Sequence, residues 1–412
     1  MHLNDQDYSK LRALKLIRRT SGLSRVELAK ALGFNKATVT ELVGELLRRG
    51  LLTEERAGAN GRGRPRTLLS IDAQAAYAIS LFPLLPDRAS IDIVDLKGDR
   101  VFSETVRIGT LNDVAALPDA ISAALEGALS RGGVPSERVR QAAVGLPGLV
   151  DLREGVVHWL PSSRTRESVP LARLVEERIR MPVALDNRAA AIARAEHWFG
   201  ADPEVDNFTL IAVLELGMNA ARYSDGRMQI GRNGLNSEFS HVKVAFERGR
   251  ECYCGSRGCL TAYCSVRGIA VEFSRLNGGD VYPAEAWNTL FDEAASRAIS
   301  GDPQALELFE TAGRALGAAV ASHINEHDPG RVVIVCAKPS LLPLIAGAFH
   351  QSVDEHTLAP LRRVTRIDLR PVALADYRQG AAALALEALY RTEPQGKPEK
   401  RAVSRNLSVD QT

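Results

Sequence analysis

The chain has 412 residues, more than a single hydrophobic core usually serves, and its 45% hydrophobic and 25% charged content is that of a water-soluble protein of two or three domains. No apolar run approaches the ~18 residues of a membrane span, and Met1 to Lys10 is polar, with Asp5 and Asp7, unlike a secretory leader; a cytoplasmic protein with no membrane partner is expected. The net charge of +2 hides an asymmetry: residues 1–72 carry fourteen Lys/Arg against eight Asp/Glu, and the remainder 38 against 42, so only the front of the chain suits a polyanion.

The first predicted element is a helix from about Tyr8 to Thr20, with Leu11, Leu14 and Ile17 on one stripe. Ser24 opens a second, with Glu27 three positions on as in a capping box and Val26, Leu28, Ala29 and Leu32 as its apolar content; Gly33 ends it. Asn35 caps a third helix, Lys36 to Arg49, whose Val39, Leu42, Val43, Leu46 and Leu47 keep the helical period. Two short helices joined at a glycine form a helix-turn-helix, whose second helix enters the DNA major groove by its N-terminal end. Asn35, Lys36, Thr38 and Thr40 lie there, off the apolar stripe and able to hydrogen-bond; an ordinary helical hairpin with a solvated face is the alternative. Strands at Leu51–Arg56 and Thr67–Ile71 flank a Gly-rich wing whose Arg62, Arg64 and Arg66 suit a narrow minor groove. A flexible basic linker would equally keep these arginines near phosphate. Residues 1–72 therefore read as a winged helix-turn-helix that binds double-stranded DNA.

From Tyr77 the pattern is α/β. Strands are predicted at Ala78–Phe82, Ser90–Asp95, Ala142–Val144, Val183–Leu185, Thr209–Leu214 and Val332–Val335. Helices are predicted at Asp113–Arg131, Leu171–Arg180, Arg188–Phe199, Pro303–His323 and Leu341–His350. The alternation implies sheets flanked by helices in two lobes, 73–185 and 186–380, with a last helix at about 381–392 completing the first. No internal repeat is visible. The tail 393–412 is polar and aperiodic and reads as disordered.

Four of the five cysteines, Cys252, Cys254, Cys259 and Cys264, fall within thirteen positions, a metal-site spacing rather than a disulfide framework. His241, Cys252, Cys254 and Cys259 make a complete tetrahedral zinc set, and a closed set is structural. Three buried free thiols are the alternative. Cys264 is a spare that either substitutes as a ligand or fills the core.

Glu238-Phe239-Ser240-His241 followed by Cys252-Tyr253-Cys254-Gly255-Ser256-Arg257-Gly258-Cys259-Leu260 resembles the Glu-x-Gly-His and Cys-x-Cys-Gly-x-x-Gly-Cys-Leu-Glu segments of the ROK family (repressors, open reading frames and kinases). Gly145-Leu146-Pro147-Gly148-Leu149-Val150-Asp151 is similar to a further family segment, and the wing's Gly-Arg-Gly-Arg-Pro to that of its sugar-gene repressors. The resemblance implies an actin/hexokinase-like (ribonuclease H-like) sugar-kinase fold with a sugar cleft between lobes. It also implies that His241 holds zinc by one ring nitrogen and offers the other to a sugar hydroxyl, with Glu238 beside it.

The likeness fails where phosphoryl transfer needs it. Ser80-Leu81-Phe82-Pro83-Leu84-Leu85 replaces the kinases' Asp-x-Gly-Gly-Thr, Gly217-Met218-Asn219 replaces Gly-x-Gly, and Cys336-Ala337 replaces Gly-Gly. Asn187-Arg188 stands where Asn-Asp supplies the base, and a guanidinium accepts no proton. In the sugar cleft Asn187, Glu238 and His241 persist, Thr261 replaces a Glu, and Arg188 is new. Arg188 either holds an anionic effector, such as a sugar acid or sugar phosphate, or pairs with a carboxylate such as Asp186, or faces solvent. The expected function is a DNA-binding regulator, a repressor of carbohydrate-utilisation genes, with a catalytically inactive effector domain and no catalytic residues. Such heads work in two-fold pairs, so a homodimer or homotetramer is expected. Control by a protein partner and, last, an active kinase are the alternatives.

Overall fold

Local signals build the head. In the computed structural model, which describes residues 5–20, 22–56, 67–84, 87–109, 111, 113–161, 167–202, 206–279 and 286–391, helix α1 (Asp5–Arg19) buries Leu11, Leu14 and Ile17. Helix α2 (Arg25–Leu32) opens on a complete capping box: Glu27 N–H donates to Ser24 Oγ at 3.3 Å and Ser24 N–H to Glu27 Oε2 at 2.9 Å. Gly33 ends it at φ 70°, a conformation glycine adopts without strain. Helix α3 (Lys36–Arg48) buries Val39, Leu42, Val43 and Leu46. Strand β1 (Leu52–Arg56) then pairs antiparallel with β2 (Thr67–Ile71), Leu52 opposite Ile71. The wing tip, with Arg62, Arg64 and Arg66, and the tail 393–412 lie outside the described residues.

The first lobe holds β3 (Tyr77–Leu84), β4 (Arg88–Asp95), β5 (Arg100–Arg107), α4 (Leu117–Arg131), β6 (Val139–Leu146), β7 (Leu149–Asp151), β8 (Val156–Trp159), α5 (Leu171–Ile179) and β9 (Val183–Asn187). Then come α6 (Arg188–Phe199), β10 (Phe208–Leu214), β11 (Gly217–Ser224) and β12 (Arg227–Met228). After these follow α7 (Thr261–Cys264), α8 (Val266–Leu276), α9 (Trp287–Ile299), α10 (Pro303–His327), β13 (Arg331–Cys336), α11 (Leu341–His356), α12 (Ala359–Val364), β14 (Arg366–Pro371) and α13 (Leu374–Arg391).

Two five-stranded sheets result, ordered β5-β4-β3-β6-β9 and β12-β11-β10-β13-β14. In each, three strands form an antiparallel meander, and two later strands add in parallel beside the first. One strand order is thus repeated where the sequence shows no repeat, because strand order is a matter of backbone pairing and not of particular side chains. The inner strands β10 and β13 are buried throughout, which explains their unbroken apolar runs. Edge strand β5, which the pattern missed, alternates instead. Helix α13 returns to the first lobe, and its Leu384, Ala385, Leu386, Leu389 and Tyr390 share one core with Ala78, Val94 and Ala143 of the sheet and Leu11, Leu14, Ile17 and Leu69 of the head. The head is therefore packed onto the body. No helix among the described residues is long and apolar enough to cross a membrane.

Candidate functional site

Asn35, Lys36, Thr38 and Thr40 are exposed along the N-terminal end of α3, while Val39 and Val43 turn inward. Part of their hydrogen-bonding capacity is already used. Asn35 Oδ1 accepts from Thr38 N–H at 2.8 Å, capping the helix, and the Thr40 hydroxyl donates to the Lys36 carbonyl at 2.8 Å. What remains for a groove is the Asn35 amide NH2, the Lys36 ammonium, the Thr38 hydroxyl and the acceptor side of Thr40. The positive end of the α3 dipole adds to it.

The second site is a loop folded on itself. Lys243 bridges to Cys259 and Glu251 to Arg257, while Cys252 N–H donates to Ser256 O at 2.8 Å. Gly258, at φ 75°, permits the turn; a Cβ there would sit 1.8 Å from Ala245 O. The fold gathers one donor atom each from His241, Cys252, Cys254 and Cys259 within 4.8 Å of one another. Cys252 Sγ lies 3.7 Å from His241 Nδ1, and Cys254 Sγ 3.8 Å from Cys259 Sγ. Tetrahedral zinc with bonds of about 2.0–2.3 Å sets its donors roughly 3.5–3.8 Å apart, so the set fits that ion. Burial and the Lys243 ammonium pull the His241 pKa below its usual value, favouring the neutral imidazole that ligates metals. Lys243 Nζ lies 3.1 Å from Cys259 Sγ. Cys264 stands apart as a core residue, fully buried with its sulfur 3.4 Å from Met218 Sδ.

The cleft between the lobes brings Asn187, Arg188 and Glu238 together with Trp159, Asn219 and Tyr253. His241 is not on its wall; its Nε2 meets the Tyr253 hydroxyl at 3.4 Å. Trp159 and Tyr253 touch edge to face at 5.6 Å from opposite lobes. The free cavity is about 60 Å³, against roughly 300–1,000 Å³ for ordinary ligand pockets. Burial pushes the Glu238 carboxyl up to about 7, opposed by the Asn219 amide at 3.4 Å. Asn187 Oδ1 caps α6 by accepting from Ala190 N–H at 2.8 Å.

Arg188 takes one of the courses open from sequence, pairing with a carboxylate, but the partner is Glu215. Its Nη1 lies 3.1 Å from Glu215 Oε2, and its guanidinium rests over the rings of Phe82 and Tyr377, 5.4 and 4.8 Å from their centres. Asp186, the partner considered from sequence, is fully buried and already bonded to Arg194 at 2.8 Å and Asn236 at 3.1 Å. The cation at 188 is thus paired inside the wall, while its buried Nε has no hydrogen-bond partner among the described residues. Phe82, in the strand where the family's kinases carry glycines, stacks on Tyr377 at 4.6 Å. Tyr253, Trp159 and Glu215 were missed from sequence. Tyr253 between two cysteines was the one available signal, since a ligand loop also aims the residue it encloses.

Residues 87–388 match the ROK family and residues 5–63 the MarR family. The chain is 26% identical over 332 residues to the xylose repressor of Caldicellulosiruptor bescii, covering 79% of this chain and 82% of that one. It is 27% identical over 386 residues to the N-acetylglucosamine repressor of Escherichia coli O6:H1, covering 90% of each. A crystal structure of a ROK family transcriptional regulator, a homologue of the Escherichia coli Mlc protein, superposes with a TM-score of 0.76 at 26% identity, covering 93% of this chain and 96% of that one.

Proposed function

Because the chain belongs to the ROK family and carries a MarR-like winged head on a two-lobed, actin-like sugar-kinase fold, we propose that it is a DNA-binding transcriptional repressor of carbohydrate-utilisation genes whose body senses a ligand without reacting on it. The observation that carries this reading is Arg188: at the place of the family kinases' base stands a cation tied to Glu215, unable to take a proton from a sugar hydroxyl. The names of the xylose and N-acetylglucosamine repressors support an effector among the sugars. Asn187 and Glu238 would contact it, and His241 would reach it once Tyr253 moves aside. His241, Cys252, Cys254 and Cys259 would hold one zinc ion, which supplies a structural cross-link for the loop carrying Tyr253. The working unit is a cytoplasmic homodimer or homotetramer on a palindromic duplex.

Mapping of occupied sites across the genome is expected to place the protein beside sugar-transport or sugar-catabolic genes, and a coupled assay to show no nucleotide turnover with any sugar. Turnover, or occupancy unrelated to such genes, would sink the reading. The 60 Å³ cleft favours one second reading, control by a protein partner docking on the body. Calorimetry separates the two: a sugar that binds and weakens DNA affinity supports the first, and silence across sugars the second.

A further inference from the structure

The uncompensated positive charge that Arg188 does not supply lies elsewhere. A cavity of about 390 Å³ opens where the head meets both lobes, within the roughly 300–1,000 Å³ of ordinary ligand pockets. Helix α1 contributes Arg12, Lys15 and Arg19, the turn after β7 contributes Arg153, and β12 contributes Arg227. Arg194 and Arg391 complete seven cationic side chains, against four carboxylates: Asp206 and Glu387 on the wall, Asp186 beneath Arg194, and Asp7, whose charge acts on Arg391. Those carboxylates are taken. Arg194 pairs with Asp186 and Glu387, Arg391 shares Glu387 at 3.1 Å, Lys15 takes Asp206 at 3.1 Å and Lys10 takes Asp7 at 3.7 Å, while Arg227 is itself engaged, 4.1 Å from the centre of the Tyr8 ring. Among the described residues Arg12, Arg19 and Arg153 have no carboxylate partner. Arg12 lies over the Tyr8 and Phe34 rings, Arg19 donates to the Gly200 carbonyl at 3.2 Å, and Arg153 to the Arg232 carbonyl at 2.5 Å.

Cations of one sign around a partly enclosed cavity focus the field on whatever enters it, and guanidinium forks match phosphate oxygens. Arg12 and Lys15 face the body here, so a DNA backbone lying on α3 does not account for them. We propose that this junction is a binding site for a small phosphate-bearing anion, held by Arg12 of the head, Arg153 of the first lobe and Arg227 of the second. A ligand touching all three bodies ties the position of the head to the separation of the lobes, and any coupling to DNA is reciprocal. The inference does not rest on the repressor reading, since its readout is anion binding itself.

The test is calorimetry and thermal melting of the full chain with inorganic pyrophosphate, against sodium chloride at equal ionic strength. A saturable melt shift is expected, with affinity at least tenfold weaker in Arg153→Gln/Arg227→Gln and in Arg12→Gln, and unchanged when Arg62, Arg64 and Arg66 are all alanine. Arg153→Gln alone, at a turn, guards against misfolding of the double variant and should still weaken binding. Glucose 6-phosphate and inorganic phosphate as further arms tell an organic phosphate from free phosphate. A shift no larger than chloride's, one equal in the cavity variants, or one abolished by the wing substitutions overturns the proposal.

Discussion

Arg188 and Glu215 have to be considered as one unit. Losing one member of a buried ion pair costs several kcal/mol because the other charge is stranded. Glu215 is 27% exposed, so part of that cost is relieved by solvent. Arg188→Ala is expected to lower stability by about 1–3 kcal/mol, read by denaturant unfolding, and Arg188→Ala/Glu215→Ala to recover most of it. Arg188→Asp restores an acid but is expected to give no turnover in a nucleotide-coupled assay. On the proposed reading, Phe82 and Asn219 would still stand where backbone has to approach phosphate. The cysteines separate as sharply. Cys254→Ser is expected to lose the metal by elemental analysis and to melt at least about 5 °C lower, whereas Cys264→Ala keeps the metal, since its thiol faces Met218.

At the scale of elements, the head divides its work between a helix and a hairpin. α3 offers few groups, but at a rigid helix end, so Lys36→Ala and Thr38→Ala should alter base preference by about 1–3 kcal/mol at single operator positions. On the proposed reading the wing arginines would act by charge. Replacing Arg62, Arg64 and Arg66 with alanine is expected to flatten the slope of log affinity against log salt by about 2–3 and leave base preference intact. Competition binding at several salt concentrations checks both. Helix boundaries here were legible because their causes lie within four residues: Ser24 with Glu27, Gly33, and Asn35 with Thr38. Edge strand β5 was not, because its side chains follow which sheet face is covered.

At the scale of the whole molecule, Lys15 records how tightly head and body are joined. It is 9% exposed, with Asp206, Arg19 and Glu387 acting on it, and burial pushes its amine from 10.5 down to about 8. The His197 hydrogen bond, aided by Lys15, holds the Asp206 carboxyl well below the usual range, so the carboxylate stays ionised throughout. For an amine with a depressed pKa, the unfolded chain keeps its proton between about pH 8 and 10.5 while the folded one releases it. Stability from this group is therefore present above 10.5 and lost as pH falls through 8. Lys15→Met is expected to exceed the parent in melting temperature at pH 7, with the margin shrinking towards pH 10. A constant margin across that range would show that Lys15 does not titrate there.

The helices of the head, the alternation of strand and helix, and the spacing of His241, Cys252, Cys254 and Cys259 could be read from the chain alone, because backbone geometry and ligand chemistry act over a few residues. Tertiary structure decided that two sheets of unrelated sequence share one strand order, and that Arg188 takes Glu215 while Asp186 is reserved for Arg194. It also placed Tyr253 against His241, and assembled a cationic cavity from α1, β12 and α13. Those outcomes are choices among competing partners. They depend on which surfaces leave water together, a sum over contacts hundreds of residues apart that no local pattern contains.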